Sequence, residues 1–131
     1  MDLLFKSPLI SIYWLDDIHT GYGVWTGLPR PDTAKEGLDK CEEILLTLRT
    51  HKWISNTEDA LVSSAETQEI IARWLERMGR TRRLHVWADI PPKSATARLV
   101  VKNLGVESTL HSILFAQFPT LEDAKAWIRT K

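Results

Sequence analysis

The residues that could act as acids, bases or metal ligands are scattered along this chain. It has four histidines and one cysteine, and no two of them stand at the spacing of paired metal ligands, such as H-x-x-x-H or C-x-x-C. It also has no phosphate-binding glycine loop and no G-x-S-x-G nucleophile motif. The sequence therefore predicts no catalytic residues, no metal and no cofactor. The histidines are His19, His51, His85 and His111.

An enzyme is the weakest of three functional hypotheses that the sequence leaves open. Its chemistry would need a histidine base held by a carboxylate, and His19 lies two residues after Asp17 in a segment with turn residues. The residues available for such pairs are His19 or His85 with Asp16, Asp17 or Asp89.

Two adjacent serines, Ser63 and Ser64, stand at the predicted start of a helix. Ser63 with Glu66 three residues later is a capping box, in which the serine hydroxyl accepts a backbone N–H. The alternative is phosphorylation, because the positive end of a helix stabilises a phosphate. Nearby carboxylates would repel that phosphate, so we expect both serines to be structural. These carboxylates are Glu58, Asp59, Glu66 and Glu69.

Charge and composition limit the partners and the compartment. Lys and Arg number 17, as do Asp and Glu, so the net charge of zero favours neither nucleic acid nor an anionic membrane. A local basic patch, Arg80, Arg82 and Arg83, could bind an acidic partner or a phosphate, or it is a solvated helix end. No apolar run is long enough to span a membrane and no signal peptide is evident. With Cys41 as the single cysteine, which we expect to be buried, this predicts a cytoplasmic protein.

Apolar periodicity predicts five strands and four helices in the order ββαβαβαβα. A short polar turn makes the first two strands a hairpin, and helical crossovers join the others. We therefore expect an α/β fold with a single five-stranded mixed sheet and four helices, in one domain over residues 1–131. Gly79 and Gly105 are predicted to end the second and third helices. The predicted strands are 9–15, 22–28, 53–55, 84–88 and 110–118, and the helices cover about 33–48, 63–78, 94–104 and 120–128.

Six tryptophans are many for a chain of 131 residues. Trp74 and Trp127 lie on apolar helical stripes, so we expect them in the core on the sheet-facing sides of their helices. The others fall mostly in predicted strands. A tryptophan-lined pocket or an exposed patch that forms a dimer face are the alternatives to simple core packing.

Three segments resemble a known family. They are 22–27 (Tyr-Gly-Val-Trp-Thr-Gly), 53–56 (Trp-Ile-Ser-Asn) and 118–128, a phenylalanine followed by a capped helix with an Ala-x-x-Trp pattern. Together with the element order, they make the chain similar to the STAS domain, the fold of anti-sigma-factor antagonists and of sulfate-transporter C-terminal domains. The chain resembles the broader STAS-like group of small bacterial proteins, whose neighbours include the lipid-binding CRAL-TRIO-like proteins.

The chain departs from that pattern after the third predicted strand. Anti-sigma-factor antagonists carry an Asp-Ser-Ser/Thr-Gly-like loop there, whose serine at the helix N-terminus is phosphorylated. The corresponding region, 56–64, is longer and lacks the glycine, and it places Ser63 and Ser64 at the helix start.

The favoured hypothesis is a non-catalytic STAS-like binding module with a regulatory role. It would act through protein–protein interaction, with a partner protein or with a second copy as a homodimer. The second hypothesis is a carrier of an apolar or lipid-like small ligand in a tryptophan-lined pocket. Neither hypothesis involves nucleic acid.

Overall fold

The computed structural model describes all 131 residues, as one six-stranded sheet with four α-helices. The strands lie in chain order across the sheet, the first three antiparallel and the third to sixth parallel. The predicted α/β class, mixed sheet and four helices are confirmed. The elements are β1 Asp2–Lys6, β2 Ile10–Leu15, β3 Thr20–Gly27, α1 Pro31–Thr47, β4 Lys52–Ala60, α2 Ala65–Arg80, β5 Val86–Ile90, α3 Ala95–Thr109, β6 Leu114–Gln117 and α4 Leu121–Ile128.

The predicted count of five strands is wrong, because β1 adds a sixth at the edge of the sheet. β1 pairs antiparallel with β2, and a register shift interrupts the pairing between Leu3 and Phe5. Its side chains are mostly exposed, with Leu3 at 54% and Leu4 at 42%. Only Phe5 packs against a core, so the segment lacks the alternating apolar pattern by which a strand is recognised in sequence.

The two faces of the sheet carry different helices. On one face, α1, α2 and α3 cover a core that includes Ile12, Trp53 and Met78. On the opposite face, the short α4 covers a second core that includes Ile54 and Ile128. The face under α1, α2 and α3, which we call the three-helix face, holds the candidate site described below.

Trp74 and Trp127 lie on opposite sides of the sheet. Trp74, in α2, packs against the core of the three-helix face, and Trp127 packs against the core under α4. Each is half-buried rather than fully buried. The predicted direction of the two side chains therefore agrees with the structure, whereas the predicted depth is too great.

Two glycines that were predicted to end helices lie inside them. α2 continues past Gly79, and α3 continues past Gly105. A Cβ atom at Gly79 would overlap with the backbone carbonyl oxygen of His111, and one at Gly105 would overlap with the ring of Phe115. Close packing against a neighbouring segment, rather than helix termination, therefore requires glycine at both positions.

β4 is longer than the sequence predicts. It runs from Lys52 to Ala60 and includes polar residues that were predicted to form a loop. These residues stay in the strand because their side chains have partners. Asn56 Nδ2 donates to the Tyr22 hydroxyl at 3.0 Å, and the Thr57 hydroxyl shares its one proton between the Ile90 carbonyl at 2.9 Å and the Asp89 carboxylate at 3.1 Å.

Candidate functional site

A cavity of about 110 Å³ lies between the three-helix face and its helices. Of its 21 lining residues 16 are hydrophobic, and none is charged. Thr57 and Ala60 contribute to its wall from the second half of β4, so the cavity lies toward the carboxyl ends of the parallel strands. Ligands of open α/β sheets bind at these ends. The tryptophans in the lining are Trp25, Trp53, Trp74 and Trp87.

The segment between β4 and α2 forms the mouth of the cavity. Leu61 and Val62 line the cavity and are 58% and 39% exposed. The backbone N–H of Leu61 donates to the carbonyl of Gly27 at 2.9 Å, which holds the end of β3 against this segment. Leu28, directly after β3, is 52% exposed. The mouth is therefore apolar, like the interior.

Asp89 is fully buried in β5 and forms the centre of a hydrogen-bond network. Its carboxylate accepts from the Ser55 hydroxyl at 2.6 Å, from the Thr57 hydroxyl at 3.1 Å and from the Gln117 amide at 3.0 Å. The Trp87 indole N–H donates to the Ser55 hydroxyl oxygen at 2.8 Å. Since Ser55, Thr57 and Trp87 also line the cavity, they connect its wall to the buried carboxylate.

Burial raises the pKa of Asp89 from 3.8 to about 6. Hydrogen bonds from Ser55, Gln117 and Thr57 stabilise the ionised form and lower the pKa, but they do not cancel the cost of removing the charge from water. No cationic side chain pairs with this carboxylate. The protonation state of Asp89 therefore changes in the range just below neutral pH.

Trp74 differs from the other buried donors of the chain. Its indole nitrogen is buried and has no hydrogen-bond partner within the protein, and no other buried side-chain nitrogen or oxygen shares this condition. Trp74 lines the cavity together with Trp87, whose indole N–H is paired.

Cys41 also lines the cavity, from α1. The side chain is buried, as predicted, and burial raises the pKa of its thiol. A protonated thiol is a poor nucleophile, so this cysteine contributes apolar surface rather than chemistry.

Of the two serines, Ser64 is the N-cap of α2. Its hydroxyl oxygen accepts from the backbone N–H of Thr67 at 3.2 Å. The capping-box pattern predicts Ser63 as the N-cap, and this prediction is wrong by one residue. The helix therefore begins one residue later than expected. Ser63 lies in the cavity wall, its hydroxyl makes no hydrogen bond, and its carbonyl accepts from the Gln68 side-chain amide at 2.8 Å.

The predicted basic patch is largely paired with acids. Arg83 binds Glu42, and Arg80 lies 3.3 Å from Glu76. Arg77 also binds Glu42, at 2.9 Å. Arg82 is the one member of the patch that makes no ion pair, and its φ of 59° shows that it forms the left-handed turn after α2.

The structure separates His85 from Asp89. His85 is exposed just before β5, whereas Asp89 is buried four residues further along the chain. At the rise per residue of a strand, their Cα atoms are about 13 Å apart. His85 instead stacks on His51, with ring centroids 4.4 Å apart.

His19 is not paired with an aspartate either. Its Nε2 lies 3.1 Å from the carbonyl oxygen of Arg49, while Asp17 pairs with Lys125 and Arg129. Asp16 accepts from the Trp14 indole at 3.3 Å. None of the proposed base–carboxylate pairs is formed, and no three His, Cys, Asp or Glu side chains cluster as metal ligands do.

Comparison with solved structures shows the fold. An uncharacterized protein of the DUF3478 family with a SpoIIAA-like fold, from Shewanella loihica, superposes with a TM-score of 0.68 at 14% identity, over 95% of this chain and 99% of that chain. An anti-sigma factor antagonist from Mycobacterium paratuberculosis superposes with a TM-score of 0.61 at 15% identity, over 95% and 99%. The predicted STAS-like, SpoIIAA-like fold is confirmed.

The sequence comparisons add no relative. No family model matches the chain, and no curated protein does. Among the four helices, none combines the length and the apolar character that a membrane span needs.

Sequence reasoning did not find the Asp89 network or the unpaired Trp74 donor. Asp89 carried a signal, because it is the one charged residue in an otherwise apolar strand segment, 86–90, and such a residue needs partners on the neighbouring strands. The position of Trp74 on an apolar stripe predicts burial, but the stripe does not show whether its N–H finds an acceptor.

Proposed function

We propose that this chain is a non-catalytic binding module that regulates a partner protein by direct contact. An exposed apolar patch at one edge of the sheet carries the proposal. That the fold is also found in an anti-sigma factor antagonist supports it. The patch, which we call the α3 patch, consists of Leu99, Val106 and Leu110.

The members of the α3 patch share one side of α3 and its end. Leu99, Val106 and Leu110 are 59%, 56% and 79% exposed, and their spacing of seven and four residues places them on a single stripe. Leu114, which begins β6, is also exposed, but it pairs with Val86 and lies on the α4 side of the sheet, outside the patch. Contiguous exposed apolar side chains on a protein surface mark interaction sites.

The edge of the sheet next to the patch supports the same proposal. β6 pairs with β5 alone, so the backbone groups along its outer side are unpaired within the sheet. A partner that buries the α3 patch would reach this edge, where a strand or a polar segment can bind the free backbone groups.

In-cell photo-crosslinking in the native host tests this proposal. A benzophenone amino acid replaces Asn103, which is exposed in α3, and in a parallel protein it replaces Glu43, which is exposed in α1. We expect a discrete adduct from position 103 alone. The double substitution Leu99→Ser and Val106→Ser should abolish this adduct, whereas Leu46→Ser, on α1, should leave it. No adduct at 103, or the same adduct from 43, would contradict the proposal.

The mass of the adduct identifies the kind of partner. An adduct of twice the 15.0 kDa chain would show the homodimer, and another mass would show a different protein. Sedimentation equilibrium of the purified chain provides an independent measure of self-association.

The cavity favours a second candidate function, a carrier of a small apolar ligand. Its uncharged lining, its four tryptophans and its apolar mouth fit such a ligand. Native mass spectrometry of the protein from its host should then show a bound small molecule. The substitution Ala97→Leu fills the cavity from α3 and should remove it, whereas Ala95→Leu, exposed on the same helix, should not.

We further propose that residues 1–131 act as one domain in the cytoplasm, with no nucleic acid among their partners. The single buried cysteine and the net charge of zero support these points. We propose a structural role for Ser63 and Ser64. A partner contact at the basic patch would depend on Arg82, since Arg80 and Arg83 are each paired with a glutamate.

A further inference from the structure

α3 carries apolar side chains on two sides. Ala97 is buried and Leu104 packs against the core of the three-helix face. The three members of the α3 patch lie on the outward side, and each is more than half exposed. A surface helix ordinarily turns charged and polar residues to solvent, as α1 does with Lys35, Asp39 and Glu43. The outward side of α3 therefore has the composition of a surface that another helix can cover.

The outward residues of α3 repeat with the spacing of a coiled-coil seam. In the heptad notation abcdefg, Leu99 and Val106 occupy d positions, and Asn103 and Leu110 occupy a positions. All four are exposed. Leu110, the residue that ends α3, keeps helical backbone angles, so the seam continues to the end of the helix. Three apolar residues and one asparagine thus form a continuous stripe.

Two charged residues flank this seam, one on each side. Lys102 precedes Asn103 in a g position, and Glu107 follows Val106 in an e position. Both are exposed, and neither makes an ion pair within the chain. In a parallel pair of helices, a g residue lies beside the next e residue of the other helix, five positions further along. A second copy of α3 would therefore bring its Glu107 beside Lys102 and its Lys102 beside Glu107.

Asn103 distinguishes between the two possible orientations of such a pair. In a parallel pair equivalent residues meet, so the two Asn103 amides come together and can hydrogen-bond to each other. An antiparallel pair that matches Leu99 with Leu110 sets Asn103 against Val106, which leaves the amide without a partner in the contact. Its two-fold axis also brings each flank against its own counterpart, so Lys102 and Glu107 of the second copy stay on opposite sides of the seam. The residues of α3 therefore match a second copy in the parallel orientation.

We propose that a second copy of this chain occupies the α3 patch, with the two α3 helices side by side and parallel, and with Lys102 of each copy paired with Glu107 of the other. The inference rests on the proposed function, since it names the partner at the same patch. Six residues of each copy make this contact, whereas a standard interface has about 20–30 on each side. We therefore expect a reversible dimer with a dissociation constant of roughly 10–100 µM.

Exchange of the two charges tests the pairing. Lys102→Glu sets two carboxylates together at each contact and Glu107→Lys sets two ammonium groups there, so each change should weaken the dimer roughly five- to thirtyfold. The double variant with both changes restores opposite charges and should recover the wild-type dissociation constant to within about twofold. A mixture of the two single variants should form a heterodimer. Sedimentation equilibrium measures each case, and Lys35→Glu, exposed on α1, is the control that should leave the dimer nearly unchanged.

A single cysteine tests the orientation. The native Cys41 is buried, so a cysteine at the exposed position 103 is the only exposed thiol of the chain. Two such cysteines meet in the parallel pair, and Asn103→Cys should form a disulfide-linked dimer in a glutathione redox buffer. Glu43→Cys, exposed on α1, should stay monomeric under the same conditions. If Asn103→Cys links only to Val106→Cys in a mixture of the two, the pair is antiparallel and the proposal is wrong.

The outcomes separate this inference from the function on which it rests. If the wild-type chain stays monomeric at about 1 mM, a second copy does not occupy the patch, whereas an in-cell adduct of another mass from position 103 would still support the proposed function. If Leu99→Ser abolishes the dimer but neither single charge exchange weakens it, the parallel pairing is wrong. The absence of both dimer and adduct contradicts the inference and the function together. Weakening by each single exchange, with recovery in the double variant, supports the parallel pair.

Discussion

The Ser55 hydroxyl donates a 2.6 Å hydrogen bond to the Asp89 carboxylate across the parallel strands β4 and β5, where the two residues stand directly opposite each other. Ser55 also accepts the indole N–H of Trp87. One hydroxyl thus satisfies a buried acid and a buried donor together, and it forms part of the cavity wall. The cavity and the buried carboxylate are consequently a single structural unit.

We expect Asp89→Asn to change how stability depends on pH. The folded state holds the pKa of Asp89 at about 6, above the ordinary value of 3.8, so it binds the proton more tightly than the unfolded chain does. Ionisation therefore destabilises the fold. The stability that the protonated carboxyl contributes is lost as pH rises from about 4 to about 6, by roughly 3 kcal/mol in total. Asparagine cannot ionise, so the variant should gain stability relative to the wild type across this window.

Urea denaturation at several pH values between 4 and 7 measures this difference. The other acids are common to both proteins and cancel in the comparison. Asp59→Asn is the control, since Asp59 is exposed and pairs with Lys93 at the surface. A difference between Asp89→Asn and the wild type that stays constant over the whole range would show that the pKa of Asp89 is not raised.

We expect Ser55→Ala, which removes a single oxygen atom, to lower the free energy of unfolding substantially. It leaves the Trp87 N–H without an acceptor and removes one of the donors to Asp89, in a position that is 4% exposed. Unsatisfied buried groups of this kind cost about 1–3 kcal/mol each, so the free energy of unfolding should fall by about 2–4 kcal/mol. Ser11→Ala, in β2 and without a side-chain hydrogen bond, should change it by less than about 0.5 kcal/mol. Equal losses in the two variants would contradict the role of Ser55.

The fold was predictable from sequence where burial follows a regular pattern. The helical stripes and the apolar strands predicted the α/β class, the hairpin and the four helices. β1 was missed because its leucines are exposed, so local sequence carries no sign that the segment pairs with β2. The polar half of β4 was read as a loop because its stability comes from partners on β3 and β5 that are distant in sequence.

The tryptophans of the cavity wall were predictable from sequence as an alternative to simple core packing, whereas the hydrogen bonds behind that wall were not. The number of tryptophans suggested a lined pocket, and four of them do line the cavity. Which indole N–H finds a hydrogen-bond acceptor depends on the distances between α2, β4 and β5. These distances cannot be derived from the sequence alone. Asp89 was considered as a partner for His85, yet the strand places them at opposite ends and pairs Asp89 with Ser55 instead.

The two serines before α2 should differ in their effect on stability. Ser64→Ala removes the N-cap hydrogen bond to the Thr67 N–H and should cost about 0.5–2 kcal/mol. Ser63→Ala removes a hydroxyl that makes no hydrogen bond and should change stability by less than about 0.5 kcal/mol. Urea denaturation of both variants checks this. A larger loss for Ser63→Ala than for Ser64→Ala would mean that the helix begins at Ser63.

Gly79→Ala should destabilise the protein even though alanine favours helices by about 1 kcal/mol over glycine. The added Cβ would overlap with the backbone carbonyl oxygen of His111, which cannot move aside as a side chain can. We expect a loss of about 1–3 kcal/mol, as in other overpacked sites. Gly37→Ala, in α1, is the comparison, because its Cβ would meet only side chains, Trp25 at 3.0 Å and Ile10 at 3.3 Å, and no backbone atom. A stabilising effect of Gly79→Ala in thermal or urea denaturation would show that α2 and the turn at His111 are not in contact.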